Sequence, residues 1–241
     1  MIRKIINKKV SKKMIHNKKV AGIIVMAGNS TRYGKGVNKN LEIVNGKPVI
    51  LYSLEIFDKN KYVDEIVVVV KENEIDNIKE ILNSNKFNKK IKIEIGGKER
   101  KESVYNGIKN IDSDIVLVHD GARPLVKDIH IENLLLEMDK YKGTTIGVKT
   151  KDTIKVADDN GIVNNTVKRA NTWIIQTPQC FDRNLLKKAH EENQSNEGIT
   201  DDCMLLEKLG YSIKIVEGDY SNIKITTSED KNIVQELMNL D

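Results

Sequence analysis

Two kinds of apolar pattern alternate along the first 150 residues. Val20–Ala27 is apolar and β-rich, and Glu65–Val70 (EIVVVV) is a continuous β-branched run, as in strands buried on both faces. Ile91–Ile95 (IKIEI) alternates like a half-buried strand, Ile115–His119 (IVLVH) is strand-like, and Thr144–Val148 is a further short strand. Helical patterns separate them: Val49–Phe57, entered after Pro48, then Glu72–Asn83, Glu102–Ile108 and Ile129–Tyr141. The alternation predicts βαβ units, hence an α/β fold with a doubly wound, mostly parallel sheet. Such sheets bind ligands at the carboxyl ends of their strands. Three groups come directly after strands: the glycine-rich loop from Met26, the pair Gly96-Gly97, and His119-Asp120.

Residues 150–172 break the pattern. Two short β-like runs flank Asn160-Gly161, a strong hairpin signal, and the segment reads as a β-hairpin arm projecting from the domain. A two-stranded ribbon is marginal alone, so the arm packs either on a second subunit or back on its own domain. WIIQTPQCF follows, then helices near Arg183–Glu192 and Asp201–Leu209, the second with Thr200 as its N-cap. Ser212–Val216 is a late strand, and Ser228 caps a terminal helix with Glu229 and Asp230 in its first turn.

The totals narrow the class. A chain of 241 residues, 39% hydrophobic and 31% charged, suits one large α/β domain. It has neither an apolar run long enough to span a bilayer nor a secretory pattern. Cys180 and Cys203, its only cysteines, lack metal-ligand spacing, so the expected location is a reducing cytoplasm. The net charge of +5 misleads, because residues 1–19 carry eight Lys/Arg and no acid; without those eight, 32 basic residues face 35 acidic ones, a balance of −3. Residues 1–19 therefore read as a basic, disordered extension and 20–241 as the domain. Neither a membrane nor nucleic acid is the expected partner, because the body lacks a basic footprint. Of 40 basic residues only six are Arg: Arg3, Arg32, Arg100, Arg123, Arg169 and Arg183. Arginine is the better choice where a planar fork must grip phosphate or carboxylate.

Four constellations could carry chemistry. The first is MAGNSTRYGKGVNK, residues 26–39, where small residues let the backbone approach an anion and Arg32 and Lys39 could hold it. The alternative is a flexible surface loop. Its spacing is neither GxxxxGK[ST] nor GxGxxG, which weakens the P-loop and dinucleotide readings. The second is IGGKERKESVYNGI, residues 95–108, where free N–H groups beside Gly96, Gly97 and Ser103 could read a nucleobase edge or bind phosphate, or form an ordinary capped turn. The third is VHDGARPLV, residues 118–126. Asp120 is placed to bind a ribose hydroxyl, a polyol or Mg²⁺, while Arg123 is either part of that site or a salt-bridge anchor for Asp120. His119 reads as a buried, hydrogen-bonded histidine rather than a metal ligand. The fourth comprises Asp152-Thr153 and Arg169 on the arm, Gln176–Gln179, Thr200–Asp202, and Asn222–Thr226. Within it Lys224 is either aimed at an anion or a strand residue pointing to solvent. No Ser-His-Asp or Cys-His arrangement is apparent. None is needed if the attacking group is an already ionised phosphate, because catalysis then reduces to in-line positioning and charge stabilisation.

The order of these motifs resembles the 2-C-methyl-D-erythritol 4-phosphate cytidylyltransferases of the nonmevalonate isoprenoid pathway. The family pattern AAGxGxRMGxxxPKQ stands here as MAGNSTRYGKGVNKN, GGxxRxxSVxxG as GGKERKESVYNG, and HDAARPLV as HDGARPLV. VKDTIK stands as TKDTIK and RxxxWxxQTPQ as RANTWIIQTPQ, followed by TDD and N-x-K-I-T, so the resemblance spans about residues 20–238. It implies a Rossmann-like nucleotidyltransferase fold. It also implies a reaction in which a phosphate oxygen of methylerythritol phosphate attacks the α-phosphorus of CTP, with Mg²⁺ on the triphosphate and pyrophosphate leaving. By position, Arg32 and Lys39 match the stabilisers of the pentacoordinate phosphorus, and Ala27 and Gly28 are substrate-binding positions of the same loop. Gly96 and Ser103 match the cytosine-reading segment. Asp120, Arg123, Thr153, Arg169, Thr177 and Lys224 match the methylerythritol side, with Arg169 and Lys224 positioning the attacking phosphate. Metal ligands are not fixed; Asp120 is a candidate and the CTP phosphates supply most of them. The family is a homodimer with crossed arms, so Thr153 and Arg169 would serve the neighbour's site. Among the departures from the pattern, the second loop glycine is Ser30, the methionine after Arg32 is Tyr33, and PKQ is Asn38-Lys39-Asn40. Asn38 lacks the fixed φ of proline, which predicts a less rigidly held Lys39; Ser30 stiffens the loop. The alternatives are a ribitol-5-phosphate cytidylyltransferase, which shares fold, CTP and loop, and a non-catalytic nucleotide-binding protein.

Overall fold

The structure, a computed structural model, describes residues 17–28, 33, 38–193 and 198–240. Arg32 and Ser30, with most of the basic extension, lie outside the described residues. The strands in chain order are β1 (Val20–Val25), β2 (Ile43–Val44), β3 (Lys47–Pro48), β4 (Glu65–Val70), β5 (Lys90–Ile95), β6 (Ile115–Asp120), β7 (Gly143–Lys149), β8 (Lys155–Ala157), β9 (Val163–Thr166), β10 (Trp173–Asp182) and β11 (Ile213–Glu217). The helices are α1 (Val49–Lys59), α2 (Ile75–Asn83), α3 (Arg100–Lys109), α4 (Asp128–Glu137), α5 (Arg183–Glu192), α6 (Cys203–Lys208) and α7 (Ser228–Leu240). Seven strands form one sheet in the order β11-β7-β10-β6-β1-β4-β5. Its neighbours pair in parallel except at β10, which runs antiparallel to both β6 and β7.

Strand periodicity explains why both faces are covered. Successive side chains point to opposite faces, so an all-apolar strand must bury both. Ile24, Ile66, Val68 and Val70 join one core with Leu54 and Phe57 of α1 and Leu134 of α4. Ile23, Val25, Val67 and Val69 join the other with Val104 and Ile108 of α3, Leu186 of α5 and Leu206 of α6. Gly22 is what lets α1 lie so close: a Cβ there would stand 2.4 Å from the Phe57 ring.

Several local expectations change. WIIQTPQCF, which carries no clear strand pattern, is β10. Gln176, Thr177 and Gln179 are buried through hydrogen bonds rather than apolar contact, and Pro178 sits in a register irregularity between Ile175 and Gln179, where a strand tolerates proline. Residues 72–74 form a 3₁₀ turn ahead of α2, and α4 ends at Glu137 rather than reaching Tyr141. Thr200 does not cap α6; Asp201 Oδ1 accepts from the Met204 N–H at 3.2 Å instead. Asp230, not Ser228, satisfies the entrance of α7, accepting from the Thr226 and Thr227 N–H groups at 2.8 Å each. Ordered pairing also starts one residue before Val20, since the Lys19 N–H donates to Asp114 Oδ2 at 2.8 Å.

The hairpin forms as expected. β8 and β9 pair antiparallel around a turn in which Asp158 Oδ1 accepts from the Asn160 and Ile162 N–H groups and Gly161 takes φ +80°. Residues 151–166 are exposed throughout, so the arm stands off the domain rather than folding back on it. Ile154, Val156, Ile162 and Val163 on it are exposed apolar side chains.

Candidate active site

The parallel strands bring their carboxyl ends to one edge, and the loops that follow are sewn together there. The Met26 N–H donates to Val69 O (2.9 Å), the Gly96 N–H to Val70 O (2.8 Å) and the Gly121 N–H to Val25 O (3.0 Å). The described start of the glycine-rich loop, Met26–Gly28, therefore meets the Gly96-Gly97 and His119-Asp120 segments at this edge. Gly96 is required by that convergence: a Cβ on it would meet the Ala27 Cβ at 2.4 Å and Ser103 Oγ at 2.8 Å. Ser103 is buried, and its hydroxyl shapes the loop, accepting from the Gly97 N–H at 3.1 Å and donating to Glu99 O at 3.0 Å. Ala27 is buried beneath the loop and Gly28 is exposed at its start.

Lys39 sits in a tight turn. Asn38 Oδ1 accepts from the Asn40 N–H at 2.9 Å and from Asn40 Nδ2 at 2.8 Å, and the Leu41 N–H closes on Asn38 O at 2.9 Å. Asn40 is buried and its Nδ2 also reaches Met26 O at 3.4 Å. The expectation that asparagine at 38 loosens Lys39 is thus corrected: the side chain replaces proline's covalent restraint with an Asx-type turn anchored to the end of β1.

The second half of the site is a cleft of about 410 Å³, lined among others by Arg100, Asp120, Arg123, Thr177, Asp201 and Lys224. Asp120, ending β6, is the hub. Lys224 Nζ lies 2.7 Å from its Oδ2, Arg100 Nε 3.2 Å from Oδ1 and Arg123 Nε 3.8 Å from Oδ2. Burial opposes its ionisation, but Arg100, Lys224 and Arg123 together hold its carboxyl well below the usual carboxylate range. Arg123 flanks Asp120, as its salt-bridge reading expects, and its side chain also lines the cleft. Lys224 lies on a loop rather than a strand and faces a carboxylate rather than solvent. That loop is held by the Ile225 N–H on Ala122 O (2.9 Å) and by Arg123 Nη1 on Asn222 O (2.8 Å). The lining of the cleft carries three cations, Arg100, Arg123 and Lys224, and three carboxylates, Asp120, Asp201 and Glu207, so its formal charges balance.

Thr177 and His119 brace Asp120 from behind. Thr177 Oγ1 accepts from the Asp120 N–H at 3.0 Å and lies 3.1 Å from His119 Nδ1, while His119 Nε2 faces Arg123 O at 3.2 Å. A hydroxyl that has accepted the amide donates to Nδ1, so Nε2 carries the ring's single proton. His119 is wholly buried, as the sequence indicated, and burial pushes its pKa down to about 3. The unfolded chain's histidine, near ~6.5, binds a proton that the folded one refuses. Stability is therefore full above that value and falls as pH drops from about 6.5 towards 3. The urea midpoint, followed by circular dichroism, is expected to fall between pH 7 and pH 4, and to fall less steeply in His119→Gln, which has no ring to protonate.

Thr153 and Arg169 are not among the described lining of this cleft. Both are exposed on the arm, and Arg169 Nη1 donates to Lys151 O at 3.3 Å. Three further residues join this network without having been assigned an individual role from the sequence: Arg100, Asp202 and His190. Arg100, opening α3, bridges Asp120 and the buried Asp202, and His190 Nε2 lies 3.5 Å from the other oxygen of Asp202. The scarcity of arginine was the available signal for Arg100. For Asp202 it was membership of the TDD triplet, and nothing marked His190.

Among the described residues, no group of three or more His, Cys, Asp or Glu side chains is placed to hold a metal ion. Asp120 does not fit that role either, since both its oxygens already face cations.

A doubly wound sheet with a charged cleft at the carboxyl ends of its strands fits the nucleotidyltransferase class that the motifs implied. The model of the 2-C-methyl-D-erythritol 4-phosphate cytidylyltransferase family matches residues 20–239. A relative of that description from Caldanaerobacter subterraneus subsp. tengcongensis is 46% identical over 216 residues, 88% of this chain and 95% of its own. One from Clostridioides difficile is 43% identical over 223 residues, 91% of this chain and 93% of its own. Among solved structures, the 4-diphosphocytidyl-2C-methyl-D-erythritol synthase of Anaerococcus prevotii superposes with a TM-score of 0.84 at 32% identity, covering 94% of this chain and 99% of that one. The chain belongs to the 2-C-methyl-D-erythritol 4-phosphate cytidylyltransferase family.

Proposed function

We propose that this chain transfers CMP from CTP to 2-C-methyl-D-erythritol 4-phosphate, giving 4-diphosphocytidyl-2-C-methyl-D-erythritol and pyrophosphate. The observation that carries the reading is that the turn holding Lys39 is tied to Met26 at the end of β1, beside a cleft where Arg123 and Lys224 flank the Asp120 carboxylate. The acceptor phosphate, already ionised, enters that cleft. Lys224 and Arg123 orient one of its oxygens towards the α-phosphorus, and Asp120 accepts hydroxyls of the acceptor. Lys39, with Arg32 as its expected companion, stabilises charge on the phosphorus as the new P–O bond forms and pyrophosphate departs. The buried, neutral His119 takes no part in proton transfer and none is required.

The loop from Gly96 to Ser103 reads the cytosine through backbone groups that Ser103 holds in place. Mg²⁺ arrives with the triphosphate, because Asp120 is occupied by cations and Mg²⁺ suits phosphate oxygens and water. The exposed apolar side chains on the arm support a homodimer in which each arm covers its partner, bringing Thr153 and Arg169 to the partner's cleft. Cys180 and Cys203 are buried and free, and no helix among the described residues is long and apolar enough to cross a membrane, which fits a cytoplasmic enzyme.

The test is pyrophosphate release from CTP and Mg²⁺, with methylerythritol phosphate and ribitol 5-phosphate offered in parallel. Release is expected with the first and weakly or not at all with the second. Release with ribitol 5-phosphate alone would move the chain to the rival acceptor, and release with neither would remove the enzymatic reading.

A further inference from the structure

We infer that Arg100 is a positioning residue that ties the nucleotide loop to the acceptor cleft and keeps Lys224 aimed; the inference rests on the acceptor reading above. Arg100 is the first residue of α3 and follows directly on Gly96–Glu99. Its guanidinium leaves that loop in two directions, with Nε 3.2 Å from Asp120 Oδ1 and Nη1 2.6 Å from Asp202 Oδ2. The side chain of Asp202 is only 1% exposed, so this second contact is a fixed anchor rather than a solvated pair. Burial works against charge on Arg100, and Asp202 and Asp120 outweigh it.

The arrangement assigns the two oxygens of Asp120. With Oδ1 taken by Arg100, Oδ2 is left to Lys224 at 2.7 Å and Arg123 at 3.8 Å. Without the guanidinium, the carboxylate is free to rotate and exchange its oxygens, and Lys224 and Arg123 follow it away from the acceptor phosphate. The two contacts use separate nitrogens, Nε and Nη1, fixed in one rigid plane, whereas a lysine has one nitrogen on a flexible stem and would have to meet both carboxylates from a single point. This is an arginine position in a chain that otherwise prefers lysine. The clamps of the nucleotide loop do not use the guanidinium: they are Ser103 Oγ on the Gly97 N–H, Glu102 Oε2 on the Lys98 N–H, and the Gly96 N–H on Val70 O. The damage should therefore fall on the acceptor and spare CTP.

A purely structural role has a different signature. Removing Arg100 strands the buried charge of Asp202. Arg100→Gln combined with Asp202→Asn removes that charge as well and keeps the shapes. We would measure thermal melting and steady-state kinetics for the parent, Arg100→Lys, Arg100→Gln and the Arg100→Gln/Asp202→Asn pair, varying CTP and methylerythritol phosphate separately. The double variant is expected to melt near the parent yet show an acceptor kcat/KM lowered about tenfold or more, with the KM for CTP within about threefold. Arg100→Lys should stay impaired. Parent-like acceptor kinetics in the double variant, full rescue by lysine, or an equal rise in both KM values would overturn the inference. The parent's own turnover in the same assay separates these outcomes from failure of the functional reading.

Discussion

Replacing Lys39 with Ala should lower kcat by about 10²–10³-fold while changing CTP affinity by less than about threefold. A cation that meets charge only as it develops on the pentacoordinate phosphorus contributes to the transition state and little to the ground state. Such a cation must be pre-placed, because a lysine that must first be ordered loses part of what it gives. The turn around Lys39 supplies the placement. Asn38 Oδ1 takes two bonds from Asn40, and Asn40 is itself buried and directed at the end of β1. Asn38→Ala removes that clamp but keeps the charge, so its kcat should fall between the parent and Lys39→Ala. Arg32→Ala is expected to behave like Lys39→Ala from its position in the motif. Single-turnover rates with saturating CTP, beside CTP affinity by calorimetry, separate the two quantities. Equal losses in both would make Lys39 an ordinary binding residue.

Strands that bury both faces announce themselves, because two helical layers leave no position for polar residues; β1, β4 and β6 were legible for that reason. β10 was not. Its middle is polar and carries Pro178, and its burial depends on partners remote in sequence: Thr177 on the Asp120 N–H, and Gln179 Nε2 on Asp201 Oδ2 at 2.7 Å. The site shows the same division. Asp120, Arg123 and Lys224 could be listed from their motifs, yet that Arg123 and Lys224 meet at the Asp120 carboxylate depends on the loop around Asn222–Ile225 being held against Ala122 and Arg123, just past β6. Arg100 had the right residue type and motif but no visible partner, since Asp202 lies 102 positions away. At Asn38 a rule about proline pointed the wrong way, because the backbone rule ignores what an asparagine side chain can restrain.

At methylerythritol phosphate well below the KM of the Arg169→Ala variant, mixing Lys39→Ala with Arg169→Ala subunits should give more activity than the average of the two variants assayed separately. Arg169 is exposed, donates to Lys151 O on its own arm base, and is not among the described lining of its own cleft. In the crossed-arm dimer proposed above, a guanidinium so placed serves the acceptor phosphate of the other subunit. Arg169→Ala alone should therefore raise the KM for methylerythritol phosphate by about tenfold or more. In a heterodimer of the two variants, one site pairs the defective Lys39 position with the defective arm and is dead. The other pairs an intact Lys39 with an intact Arg169. Random pairing of equal amounts makes half of the dimers mixed, so about a quarter of the parent's sites should work. Arms that served their own subunit would leave every site with one lesion, and mixing would then change nothing. The exposed apolar residues of the arm give a second handle: Val156→Lys and Ile162→Lys together should weaken the dimer in sedimentation and reduce that rescue in parallel, because a charge pressed into an apolar contact opposes assembly.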